Sequence, residues 1–229
     1  MTRWDLCSLA LAAGLLTVSA PARAAEAAGG VSVDKEKRTV TVEARIAPRK
    51  INDPRYTQIY PIEVIACWPF PRGQKAHETV VTIEAKPSAV HKALEGLGLK
   101  PGAPVQGGTG AGTGPAVNVY LEVPGPDGRP KRLPIEKVLI DPKSNKTMPK
   151  VQWRFTGSVM TQPDPNKPEK VYGADLTGTL LAIFPVTDQT VFQTNLTMKE
   201  EKYVKLETDK RLLPREGAAV KLILEVPAK

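Results

Sequence analysis

The chain has 229 residues and a formal charge of +8, from 32 basic and 24 acidic side chains. Opposite signs are interspersed, as in Asp34-Lys35-Glu36-Lys37-Arg38 and Lys199-Glu200-Glu201-Lys202. Without a run of like charges the pattern excludes a nucleic-acid tract and reads as a solvated, mixed surface. Of the two cysteines only Cys67 lies outside the leader. That excludes an intramolecular disulfide, a CxxC pair and a cluster held by several of the chain's own thiolates.

Residues 1–24 have the order of a secretory signal peptide. Arg3 sits in a short charged start, Leu6 to Val18 is apolar, and Ala22-Arg23-Ala24 is a small-x-small cleavage site. The apolar run is too short to span a bilayer. The expectation is cleavage after Ala24, leaving residues 25–229 as a periplasmic or extracellular chain without a membrane span.

Val31-Ser32-Val33 and Thr39–Ile46 alternate apolar and polar residues around a charged turn, the pattern of a β-hairpin. Ala47–Pro61 is irregular, with Tyr56 and Tyr60 as anchors. Ile62–Cys67 is expected as a strand, Trp68–Lys75 as a proline-rich loop, and His77–Glu84 as a second strand antiparallel to the first. Pro87 opens a helix at a position where its missing N–H costs nothing. Val90, Ala93, Leu94 and Leu97 share one helical face, and Gly98 is the left-handed stop.

Gln106–Pro115, QGGTGAGTGP, lacks the lysine, the hydroxyl and the following helix of a phosphate loop, so it reads as a flexible connector. It is also the one place where a single domain over 25–229 could divide in two. Beyond it, expected strands at 117–123, 133–140, 151–159, 176–184, 190–194, 203–208 and 219–226 are separated by Pro, Gly, Asn and Asp. The fold class is therefore mainly β: a sandwich or partly open barrel of about ten strands with one α-helix packed on it.

Chemistry concentrates between Ile62 and Gly102, which holds both histidines. Cys67 with His77 has the residue types of a thiolate–imidazole pair. His77, His91 and Cys67 have those of a transition-metal site, although their spacing matches no dense metal motif. In the third reading Cys67 is a small buried hydrophobe and both histidines are structural. Strand alternation would point His77 toward the core and Glu78 outward, unless the strand has not begun at His77. Trp68-Pro69-Phe70-Pro71-Arg72 adds two proline-held aromatics suited to stacking on a sugar or an apolar side chain. Trp68, Phe70, Arg72, Lys75 and His77 are the candidate ligand-binding residues.

Lys75-Ala76-His77-Glu78, Ala85-Lys86-Pro87-Ser88, His91-Lys92-Ala93-Leu94 and Gly98-Leu99-Lys100-Pro101-Gly102 resemble the YdjY-like domain family of exported bacterial proteins. Phe155-Thr156-Gly157-Ser158 and Ala174-Asp175-Leu176-Thr177-Gly178 are similar to later elements of that family. The resemblance implies no settled activity and no catalytic residue. The expected function is an exported, non-catalytic binding or accessory module of the envelope, with no cofactor, whose partner is an envelope protein or glycan. The alternative is a metal- or thiol-dependent enzyme centred on Cys67, His77 and His91.

Overall fold

The computed structural model describes residue 1 and residues 28–125 and 127–228. The expected signal peptide and its expected cleavage after Ala24 lie outside the described residues. Among those described, no helix is long and apolar enough to cross a membrane.

The chain opens with a hairpin of β1 (Val31–Asp34) and β2 (Thr39–Ile46), in which Asp34 faces Thr39. The Asp34 carboxylate accepts the Lys37 N–H at 2.9 Å and closes the turn. Then come β3 (Val64–Cys67), β4 (Thr79–Ile83) and helix α1 (Pro87–Gly96). A second hairpin pairs β5 (Ala116–Pro124) with β6 (Pro130–Pro134). Short elements fill the rest: β7 (Leu139–Ile140), β8 (Trp153–Phe155), β9 (Met160–Thr161) and β10 (Val171–Tyr172). They are followed by α2 (Ala174–Thr177), β11 (Thr179–Ala182), β12 (Phe192–Gln193), α3 (Met198–Glu201) and β13 (Glu207–Thr208). The last strand is β14 (Ala219–Glu225).

Eight of these strands form a ring in the order β2-β14-β5-β8-β12-β11-β3-β4, and β4 pairs back to β2. The mainly β class holds, but the barrel is closed where a sandwich or partly open barrel was expected, and the short helices α2 and α3 join the one expected helix. β1 and β6 extend it as outlying strands. Closure leaves the ring strands no unpaired edge. Alternation fills the interior: Val40, Val42, Ala44 and Ile46 of β2 face inward with Val117, Val119, Leu121 and Val123 of β5 and Val220, Leu222 and Leu224 of β14. Trp153, Phe155, Phe184 and Phe192 supply the largest buried rings.

β3 and β4 are parallel, with Val64 beside Thr79 and Cys67 beside Thr82, so the expected antiparallel hairpin is wrong. Each strand runs antiparallel to its other neighbour, β11 and β2 respectively. Closing the ring between those neighbours makes the middle pair parallel. A parallel pair needs a crossover rather than a tight turn. Residues 68–78 provide it, ending in a single turn of 3-10 helix at Ala76–Glu78.

α1 follows the expected signals, with Pro87 in its first turn and Gly98 at φ 86° just beyond its end. Val90 and Leu94 are buried in the main core. The Gly-rich segment departs from the expected flexible connector because it is pinned. The Gln193 side chain accepts the Val105 N–H at 3.0 Å and donates to its carbonyl at 2.7 Å, while Gly107 N–H donates to Pro185 at 2.8 Å. One continuous sheet uses strands from both sides of this segment, since β2 pairs with both β4 and β14.

Candidate functional site

β3 is buried on both faces. Register shifts along its pairing with β11 break the strict alternation, so Ile65 and Ala66 both join the main core. Val64 and Cys67 instead join a second, smaller cluster with Ile51 and Ala76, against which Tyr56 and Phe70 pack. Ile51 and Tyr56 come from the strap of residues 47–61, and Phe70 and Ala76 from the crossover. The two stretches together roof the outer face of β3.

Under this roof Cys67 is fully buried and donates its S–H to the Trp68 carbonyl at 3.1 Å. Burial pushes the thiol up to about 12, so essentially no thiolate exists at neutral pH. The side chain behaves as a small hydrophobe.

Trp68 also faces inward more than its loop position suggests. Its indole N–H donates to the Ala85 carbonyl at 2.8 Å, and its backbone N–H donates to Gly178 at 2.9 Å. Gly178 sits at φ 71°, and a Cβ there would come within 2.7 Å of the Trp68 ring. The ring is thus a lid on the sheet end. Its outer face carries the Arg72 guanidinium at 5.2 Å, and Arg72 is ion-paired with Glu84.

Phe70 is placed differently. It meets Tyr56 edge-on at 6.0 Å, and Arg55 lies 5.5 Å above its ring. With Pro48, Ile51 and Pro69 it lines an open hollow of about 270 Å³, bordered by Lys50 and Asn52. Of the candidate ligand-binding residues, Phe70 lines this hollow, while Trp68, Arg72, Lys75 and His77 do not.

Lys75 and His77 belong to a polar cluster beside that roof. Lys75 Nζ bridges Glu63, at 3.4 Å, and Glu78. Burial alone would lower the Lys75 ammonium, but Glu78 and then Glu63 hold it above its usual value. The Glu63 carboxyl is raised, first by burial and then by the Glu78 charge. His77 stacks on Tyr56 at 4.4 Å and meets Tyr60 edge-on at 5.0 Å. Its Nδ1 is buried without a hydrogen-bond partner among the described residues. Burial first, then the Lys75 charge, holds the imidazole below its ordinary 6.5.

Because the strand starts only at Thr79, His77 and Glu78 lie on a turn and approach each other, Nε2 to Oε1 at 3.5 Å. Their expected directions are reversed, since Glu78 is the more deeply buried of the two. Arg49 completes the cluster. Its guanidinium makes a two-pronged pair with Glu207, at 2.7 and 3.2 Å, and also donates to the Tyr60 carbonyl.

His91 lies in a separate environment. Its Nδ1 is 2.7 Å from the Tyr172 hydroxyl, its Nε2 is 3.4 Å from Glu95, and its ring meets Phe155 edge-on. Its carboxylate and phenol partners are not those of His77. Among the described residues no three His, Cys, Asp or Glu side chains are grouped to hold a metal. Cys67, His77 and His91 therefore do not converge.

Fold and site together define a closed β-barrel domain that carries, over one doubly buried strand, an apolar hollow lined by Phe70 and edged by Lys50. The sequence model of the YdjY domain matches residues 31–225, and the chain belongs to the YdjY domain family. Neither the curated proteins nor the solved structures gave a match to it.

Several motif residues that carried the resemblance meet in one place. Ser88 donates its backbone N–H and hydroxyl to Asp175, at 2.9 and 2.5 Å. A Cβ on Gly157 would lie 2.9 Å from Pro101 and 3.4 Å from His91, and Gly102 N–H donates to the Phe155 carbonyl at 3.0 Å. Much of the motif fixes the fold. Arg49, Ile51, Glu63 and Glu207 were not foreseen. Nothing local separates Arg49 from Arg45 or Lys50, since its burial comes from a partner 158 positions away.

Proposed function

We propose that the chain is a non-catalytic binding module exported to the cell envelope, and that it engages its partner through the Phe70 hollow. The observation that carries this reading is the contrast between neighbouring side chains. Phe70 lines open space with an apolar wall and Lys50 at its border, while Cys67 beneath it is sealed and protonated. An aromatic held by prolines and by Tyr56 loses little freedom on binding, which favours recognition. A thiol enzyme would need a thiolate, and a metal enzyme would need ligands that converge.

The test compares the purified protein with Phe70→Ala on a glycan array and in cross-linking capture from envelope extracts. The reading expects at least one saturable signal that falls tenfold or more in the variant, with unchanged circular dichroism. Signals identical in both proteins would sink it.

A further inference from the structure

The strap also borders a second hollow, of about 330 Å³, formed with the segment 208–216. Its floor is apolar, with Ile46 at 5% and Ala47 at 1% exposure and Leu213 and Pro214 half-buried beside them. Its rim is basic. Lys210 and Arg215 are exposed there, and the nearby carboxylates are engaged elsewhere. Glu207 pairs with Arg49, Asp209 with Arg211, and Glu216 accepts the Arg49 backbone N–H at 3.0 Å. Two cations with no carboxylate partner among the described residues thus face an apolar depression.

We infer that this hollow binds a carboxylate carried on a short, unbranched apolar chain. The Arg215 fork suits a carboxylate in two-pronged geometry, and Lys210 adds a second positive charge. The floor offers the chain burial. Thr208 and Arg49 also line the hollow, but the Thr208 hydroxyl donates to Glu207 at 3.1 Å and the Arg49 guanidinium pairs with the same carboxylate, which leaves little to meet the hydroxyls of a sugar. The volume lies at the small end of ligand pockets, about 300–1,000 Å³, and so suits one short chain rather than a two-chain lipid. Glu216 stands on the same rim. Its bond to the Arg49 N–H turns part of its charge toward the strap, and a singly charged ligand is therefore preferred over a doubly charged one. The inference does not depend on the Phe70 hollow.

The probe is octanoate, titrated calorimetrically into the purified protein in phosphate-free buffer, with hexanoate, octylamine and inorganic phosphate as comparisons. Octanoate should bind at one site, about fifteenfold tighter than hexanoate, because each of its two additional CH₂ groups contributes roughly fourfold when buried. Octylamine should bind at least tenfold more weakly. The exposed double variant K210A/R215A should weaken octanoate tenfold or more with its melting curve unchanged, and Phe70→Ala should leave octanoate binding as it was. Four results would each overturn the inference: no octanoate binding, octylamine binding equally well, phosphate displacing octanoate without any chain-length dependence, or full affinity in K210A/R215A. Loss of octanoate binding in Phe70→Ala would move the ligand to the other hollow and overturn the assignment as well.

Discussion

His77 has an aromatic cage, a buried ring nitrogen without a partner among the described residues, and two cations, Lys75 and Arg49, that oppose its protonation. Its folded value is lowered, so the unfolded chain takes up a proton first as the pH falls. The stability this site contributes is whole above 6.5 and is lost as the pH drops through the lowered folded value. Urea midpoints should therefore decline below about pH 6.5, and His77→Phe should flatten that decline. Equal slopes for both proteins would remove His77 as the cause. Glu63 acts in the opposite direction, since its raised carboxyl favours the folded state as it protonates. Glu207 and Asp209, both lowered, add an acid loss that sets in only below their ordinary values of 4.5 and 3.8.

At the scale of elements, α1 was legible and the strand pair beside it was not. Pro87, the apolar face and Gly98 are local signals, and the helix obeys them. No local signal tells a parallel from an antiparallel pair when a proline-rich loop joins two apolar runs. The direction of β3 against β4 follows from ring closure through β2 and β11, which are distant in sequence. Short strands such as β8 and β12 were overdrawn for a related reason. Apolar residues fill the barrel whether or not their backbone is paired, so apolar runs outlast the ladders. The N-terminus of α1 shows tertiary structure replacing a local cap: Lys86 offers none, and Asp175 reaches across to Ser88. Asp175→Ala should cost about 1 kcal/mol in urea unfolding, the size of a lost N-cap. A change below a few tenths would show that water replaces the carboxylate.

At the scale of the molecule the described residues form two apolar clusters, a large one built on the ring and a small one beneath the roof. Leu222→Ala, in the ring, should destabilise globally by about 2–5 kcal/mol. Ile51→Ala, under the roof, should raise hydrogen exchange in the strap and crossover first, with the ring strands still protected. Uniform loss of protection in the Ile51 variant would mean the roof and the barrel unfold as one unit. The second cluster itself could not be read from the sequence, because Ile51, Val64, Cys67 and Ala76 carry no shared period and meet only once the crossover folds back.

Native thiol titration tests this arrangement most directly, because Cys67 is a free cysteine lying beneath the roof that leaves Phe70 outside. With a maleimide or aromatic disulfide reagent at neutral pH, Cys67 should stay unlabelled in the folded protein and react fully once urea unfolds it. Rapid stoichiometric labelling of the folded protein would contradict the sealed cluster, and with it the binding-module account.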